Sequence, residues 1–355
     1  MSVGVTSTFI IAREARGMTQ AKLAELIGVS QAVISKVENG LQSASPSIVE
    51  GYARELGYAP SFFDQQMDVR RLPQHFYRKK ARATVAEARR AEATMNVLRM
   101  QVRAMLRSAE IPENTIPSLD RAKFDGTPAD AARLVRKKWM LPRGPIQNIT
   151  RLLEDHGIVI VSCDFGTDDI DAMSVQVPGD DMPPCILVSP SAPGDRLRWS
   201  LVHELGHLVL HSHKDHVDDA SIEAEADEFA SEFAMPANDI RPHLRTVTLE
   251  RLATLKLTWR MSIASMIMAA RRLGLIQERW ERTLWIGMSR NGWRVDEPNH
   301  VPRDEPALIG EVVTFFRKNL EYSEQQMAAM LHTSVTEFRA SFGGNPAGGL
   351  RIVKF

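Results

Sequence analysis

One segment limits what this chain can fold into more than any other: WSLVHELGHLVLHSHKDH, from Trp199 to His216. It packs five of the ten histidines into fourteen residues, and His203 and His207 stand four apart inside an apolar run. On an α-helix that spacing puts both imidazoles on one face, about 6 Å apart along the axis. Leu201, Val202, Leu205, Leu208, Val209 and Leu210 surround them, so the helix must be buried in a packed domain. Gly206 gives room beside the pair. Two such imidazoles can converge on one divalent ion, with Glu204 beside them to act on a water that the ion activates.

A catalytic centre of this kind needs a third protein ligand and keeps a fourth position open. The stretch Glu223-Ala-Glu-Ala-Asp227, on a second expected helix over about 221–233 stopped by Pro236, offers Glu223 or Glu225. The two lie about 200° apart around a helix, so both cannot face the same ion. His211 lies about 12 Å along the axis from His203, too far for easy joint ligation, and reads as a bystander, with a supporting or substrate-polarising place as the lesser alternative. His213 and His216, among Asp215, Asp218 and Asp219, read as a solvated loop. His243 and His300 could reach the site, but nothing in their spacing requires it.

The chain has 355 residues, enough for two or three domains, and its charges balance to a formal zero. Any nucleic-acid contact must therefore rest on local charge. Cys163 and Cys185 are too few for a disulfide framework and lack paired metal-site spacing. No signal sequence opens the chain, and no apolar run reaches the ~18 residues of a membrane span. The expected setting is cytoplasmic, away from membranes.

Residues 8–63 read as five short helices. Thr19 caps one carrying Leu23, Ala24, Leu26 and Ile27, Gly28 supplies a turn, and Ser30 caps the next. From 68 to 107, eleven Lys/Arg face three acids in Ala-rich helical sequence. Helices are expected at about 129–139 and 146–156, and strands at Ile158–Cys163, Val175–Val177 and Cys185–Val188. The segment YSEQQMAAMLHTSVTEF (322–338) faintly echoes MTQAKLAELIGVSQAVI (18–34), with Ser323 falling on Thr19 and Ser334 on Ser30.

Residues 13–40, R-x-x-R-G-M-T-Q-x-x-L-A-E-L-I-G-V-S-Q-x-x-I-S-K-V-E-N-G, resemble the Xre-type, lambda-repressor-like helix-turn-helix. In such domains the second helix enters the major groove. The resemblance implies that Gln31, Ala32 and Lys36 face base edges of a double-stranded operator, and that Gln20, Ser30, Ser35 and Asn39 contact phosphates. Residues 1–60 balance five basic against five acidic residues; the basic run beyond them reads first as a solvated helix face, and as the alternative it supplies phosphate neutralisation through Arg78, Lys79, Lys80 and Arg82.

R-L-R-W-S-L-V-H-E-L-G-H-L-V-L-H (196–211) with E-A-E-A-D-E-F-A-S-E-F-A-M-P (223–236) resembles the ImmA/IrrE family of metallo-endopeptidases, as do W-x-L-P-x-G-P-I (139–146) and L-E-x-x-G-I (153–158). That resemblance implies His203, His207 and Glu223 as ligands of Zn2+, or of Mn2+, and Glu204 as the catalytic base. It further implies cleavage of a helix-turn-helix repressor, in cis or in trans, in a stress, mobile-element or toxin–antitoxin response. The expectation is thus a mainly α chain with a small β-sheet (α+β). A five-helix DNA-binding domain spans 1–66, a basic helical linker 67–125, a zincin-like HExxH metallopeptidase domain 126–300 and a helical C-terminal segment 301–355. Paired half-sites would call for a homodimer. The rival expectation is a DNA-binding regulator whose metal domain only senses or scaffolds.

Overall fold

A computed structural model describes residues 3–66, 69, 84–121, 123–176, 182–212 and 219–342. The chain forms two compact units. One gathers Met1–Ile111, Ser162–Ile170 and Ala307–Phe355; the other gathers Pro112–Val161 and Asp171–Pro306.

The first unit opens with α1 (Val3–Ala15), α2 (Gln20–Ile27), α3 (Gln31–Glu38) and α4 (Pro46–Leu56). The fifth short helix expected before residue 63 is one 3₁₀ turn, Pro60–Phe62. Thr19 caps α2 by accepting from the Lys22 N–H at 3.1 Å. Ser30 holds the N-cap position of α3 in extended conformation, but its hydroxyl makes no capping bond. Between them Gly28 turns the chain at φ +79°, a left-handed value that glycine adopts without strain. Phe9, Leu23, Ile34, Tyr52 and Phe63 close the core, with Phe9 stacked on Phe63 at 4.7 Å and edge-on to Tyr52 at 5.0 Å. Inside it Glu38 accepts from Arg13 at 2.7 and 2.8 Å.

The basic stretch then continues as α5 (Val85–Leu106), opened by a capping box between Thr84 and Glu87. Its buried residues Ala88, Ala91, Met95, Leu98, Val102 and Met105 alternate steps of three and four, while Ala93 and Val97 join the core of the first four helices. The helix is therefore a packed element rather than a solvated one. Arg78, Lys79, Lys80 and Arg82 lie outside the described residues.

The second unit is built on α6 (Pro128–Lys138), α7 (Ile149–Asp155), a three-stranded sheet, α8 (Gly194–Leu210), α9 (Asp219–Ala234), α10 (Ala237–Ile240), α11 (Leu249–Trp259), α12 (Ile263–Arg272) and α13 (Glu278–Arg290). Helix α7 starts three residues later than expected, because Asn148 accepts from the Arg151 N–H at 2.8 Å and caps it there. The sheet runs β1 (Val159–Ser162), β3 (Cys185–Val188), β2 (Ala172–Val175) in spatial order. Central β3 is buried at all four residues, as a strand covered on both faces requires. Strand β2 was expected over Val175–Val177. It instead ends at Val175, pairing antiparallel with β3 from Ala172↔Val188 to Val175↔Cys185. Burial beside β3 outweighs the weak β-propensity of Ala172 and Met173.

Helix α8 is apolar nearly all round: Leu197, Leu201, Val202, Leu205, Leu208, Val209 and Leu210 are buried. Each contributes about 1.5–3 kcal/mol of transfer free energy. Its first turn is fixed by buried Lys256, which pairs with Asp195 at 2.7 Å and Glu297 at 2.8 Å. Arg198 is fixed by Asp304 and by the carbonyls of Ile146 and Gln147.

The chain then returns to the first unit with α14 (Leu308–Asn319), α15 (Glu324–Met330) and α16 (Val335–Phe342). Ser323 caps α15 much as Thr19 caps α2, and Met327 and Ala328 are buried like Leu23 and Ala24. This helix pair seats on the segment after α4: Ala59 donates to the His332 carbonyl at 3.0 Å, Ser334 to the Gly57 carbonyl at 2.9 Å, and Arg16 pairs with Glu337 at 3.0 Å. Among the described residues no helix is long and apolar enough to cross a membrane.

Candidate functional site

Helix α8 brings His203 and His207 to one face, and α9 lies against that face. The close approach depends on Gly206. A Cβ there would stand 3.2 Å from Phe229 Cδ1 and 3.3 Å from the Cα and carbonyl oxygen of Ala226. The room that Gly206 gives is thus taken up by α9. The result is a triangle of donors: His203 Nε2 to His207 Nε2 is 3.1 Å, and the Glu223 carboxylate is 3.3 Å from each. Among the described residues His203, His207 and Glu223 form the cluster able to hold a metal ion.

The donor set fits a divalent ion on two counts. A tetrahedral ion with bonds of about 2.0–2.1 Å has ligand–ligand edges of about 3.3–3.4 Å. The two ring nitrogens stand 3.1 Å apart, Glu223 meets His203 with Oε2 and His207 with Oε1, and one donor atom from each residue lies within 4.8 Å of the others. The far side of each ring also decides where its proton sits. His203 Nδ1 lies 2.8 Å from Asp227 Oδ1, so it donates there and Nε2 keeps a lone pair. His207 Nδ1 lies 3.0 Å from His211 Nδ1, and His211 Nε2 lies 3.0 Å from Glu225 Oε2. Arg121 Nε donates to Glu225 Oε1 at 3.0 Å. Burial raises the Glu225 carboxyl, but the hydrogen bonds from His211 and Arg121 outweigh it and hold the group below its ordinary range. His203 Nε2 thus faces His207 Nε2 and the Glu223 carboxylate, and electron-rich atoms this close repel one another unless a proton or a cation lies between them.

Glu225 therefore faces His211, on the opposite side of α9 from Glu223, as their rotation around the helix requires. His211 is buried and touches His207. His243 lies edge-on to Trp259 and His300 beside Asp296, so neither joins the triangle. His213 and His216 lie outside the described residues.

Glu204 is held by strand β2. Its Oε2 accepts from the Ser174 N–H at 2.9 Å and from the Ser174 hydroxyl at 2.5 Å. Ser174, Arg121 and the part played by Asp227 were missed in the sequence. Asp227 could have been found, since it follows Glu223 by one helical turn. Ser174 and Arg121 are 30 and 104 residues from their partners, and no local pattern points to them.

In the first unit, Gln31, Ala32 and Lys36 are exposed on α3, as are Ser30 and Asn39 at its ends; Ser35 is half-buried. Gln20 is tied to Glu38 at 2.8 Å and accepts from Gln31 at 3.4 Å, so the two glutamines act as one group. Asn39 donates to the Ser35 carbonyl at 2.8 Å.

The fold and site are those of a helix-turn-helix DNA-binding domain joined to a metallopeptidase-like domain. Residues 10–63 match the helix-turn-helix family, and residues 153–273 match the IrrE N-terminal-like domain, a peptidase family. The chain is a fusion of these two. The segment 139–146, which carries the W-x-L-P-x-G-P-I pattern, precedes the matched residues. No curated protein matches the chain.

Proposed function

We propose that the chain is a transcriptional regulator whose second unit is a zinc-dependent endopeptidase acting on a helix-turn-helix repressor. The observation that carries this reading is the His203–His207–Glu223 triangle with Glu204 fixed beside it. A pure scaffold would need the three donors but not Glu204. His203 Nε2, His207 Nε2 and the Glu223 carboxylate would hold Zn2+, with Mn2+ the alternative ion. Once bound, the ion supplies Lewis acidity to the scissile carbonyl and lowers the pKa of a water toward ~7.

The chain's own residues do the rest. Ser174 engages Glu204 Oε2, so Oε1 is the oxygen that takes a proton from the attacking water. As the C–N bond breaks, Glu204 passes that proton to the leaving amine. Gln31, Ala32 and Lys36 read base edges, while Gln20, Ser30, Ser35 and Asn39 set the register on phosphates. Binding as a homodimer to an operator, the chain would cut a repressor in cis, between copies or in trans, in the cytoplasm, during a stress, mobile-element or toxin–antitoxin response.

Intact-mass analysis tests this. Wild type and Glu204→Gln are incubated with Zn2+ or Mn2+, alone and with candidate repressors from the same cell. The expected result is metal-dependent cleavage by wild type that the variant lacks. Equal mass profiles for the two proteins, both still binding DNA, would replace the peptidase with a metal sensor.

A further inference from the structure

Resting on the reading of this triangle as a metal centre, we propose that His211 and Glu225 are positioning residues that hold His207 in the one proton arrangement able to bind the ion. They act through a chain of hydrogen bonds that runs from partly exposed Arg121 and Glu225 to buried His211 and His207.

Arg121 is fixed in place by the Phe124 and Gly126 carbonyls, each 3.1 Å from its Nη1, and its Nε donates to Glu225 Oε1. A carboxylate only accepts, so the proton between Glu225 Oε2 and His211 Nε2 belongs to His211. A neutral imidazole carries one proton, which leaves His211 Nδ1 an acceptor. Across the 3.0 Å contact His207 Nδ1 must then donate, and His207 Nε2 is left with the lone pair that points at His203 and Glu223.

Reversing the chain shows what it prevents. If His207 carried its proton on Nε2, that proton would occupy the space between the ring and the other two donors, and His207 could not ligate. His203 solves the same problem with one direct bond to Asp227, which is half exposed, whereas the His207 chain runs through His211 at 4 % side-chain exposure. Glu225 reaches His211 because it lies on the side of α9 turned away from Glu223. Its place in the acidic stretch is explained without ligation.

Competition of the full-length protein with a chromophoric chelator for Zn2+ measures the effect. His211→Phe keeps a ring but offers no acceptor, and is expected to weaken Zn2+ binding about 10–100-fold. In His211→Gln the amide oxygen can accept from His207 and the amide N–H can donate to Glu225, so affinity should return to within a few-fold of wild type. Long-range ¹⁵N–¹H correlation spectra of the metal-free proteins give a second readout. His207 should be the Nδ1–H tautomer in wild type and His211→Gln, and a mixture of tautomers in His211→Phe.

Wild-type affinity in His211→Phe with an unchanged His207 tautomer would overturn the proposal. So would equal weakening by Phe and Gln, which would show that packing of the ring matters rather than its hydrogen bonds. If wild type itself bound no Zn2+, the metal-centre reading would fail, while the tautomer spectra would still decide whether the chain orders His207.

Discussion

Glu38→Ala in the helix-turn-helix core removes one acceptor from four donors at once. Glu38 is 2 % exposed and accepts from Arg13 Nε at 2.7 Å, Arg13 Nη2 at 2.8 Å, Gln20 Nε2 at 2.8 Å and the Tyr52 hydroxyl at 3.2 Å. The Tyr52 hydroxyl is pushed far above its usual range, chiefly by burial and then by the Glu38 charge, so at neutral pH it is a donor. The alanine variant takes from the buried Arg13 guanidinium its nearest counter-charge, leaving Glu14 at 3.7 Å and the Met18 carbonyl, a loss of about 3–5 kcal/mol. With a urea slope of about 2 kcal/mol/M, that moves the midpoint down by roughly 2 M. All six tryptophans lie in the second unit, so far-UV circular dichroism should report the loss while tryptophan fluorescence reports the other unit. The paired variant Arg13→Met/Glu38→Leu should recover part of the stability, because apolar replacement of both charges removes their desolvation cost while the buried Tyr52 hydroxyl still loses its acceptor. It should not recover DNA affinity, since Gln20 and through it Gln31 still lack their anchor. A loss below about 1 kcal/mol, or a double variant no more stable than the single one, would show that Glu38 does not compensate the buried Arg13 charge.

Removing the metal should lower the thermal midpoint seen by tryptophan fluorescence. At a free ion concentration of 100 Kd the linkage is about 2.7 kcal/mol, roughly 5–10 °C for a unit of this size, and no shift with a chelator would count against the site. Lys36→Ala should cost about 1–3 kcal/mol of discrimination at one operator position in fluorescence-anisotropy titrations; uniform weakening across sequences would place Lys36 on phosphate instead. Asp130 is held at about 2 by the Thr127 backbone and hydroxyl and by Arg133. Its contribution to stability is present above the unfolded value near 3.9 and is lost as pH falls from there through about 2. Asp130→Asn should flatten that acid limb in pH-dependent unfolding. Ser174→Ala should leave Zn2+ affinity within a few-fold while lowering peptidase turnover, and a parallel loss of both would refute separate supports for base and metal.

How much of this was legible follows from sequence separation. His203, His207 and Glu204 occupy five consecutive residues, and helical geometry alone relates them. Glu223 lies on another helix, and its pairing with the histidines depends on how α9 packs, so the spacing left Glu223 and Glu225 both open. The cap at Thr19 and the left-handed turn at Gly28 were readable because their hydrogen bonds are local. Ser30 shows the limit of that reading: the residue type and backbone suit a cap, yet its hydroxyl does not bond. The run 85–106 looked like a charged spacer because its arginines stand out, whereas its burial comes from alanine and methionine at alternating steps of three and four. Strand β2 was shifted because valines drew attention to 175–177, while pairing with β3 selected 172–175.

The site's construction ties a helix-packing contact to its chemistry. Ligands on α8 and α9 can share one ion only if the helices approach until a Cβ at residue 206 would press on the Ala226 backbone. Gly206 costs helix stability of about 0.5–1 kcal/mol relative to alanine, and what offsets that cost is the buried surface between Leu205, Phe229 and their neighbours. The glycine in H-E-L-G-H is therefore not a spacer beside an ion. It sets the distance between two helices, and that distance brings Glu223 Oε2 to 3.3 Å from His203 and Oε1 to 3.3 Å from His207. Glu204, the proposed base, is positioned by a different means, a β-strand edge reaching it from 30 residues earlier in the chain. In the proposed peptidase, affinity for the ion and competence for proton transfer would thus depend on separate contacts within one unit.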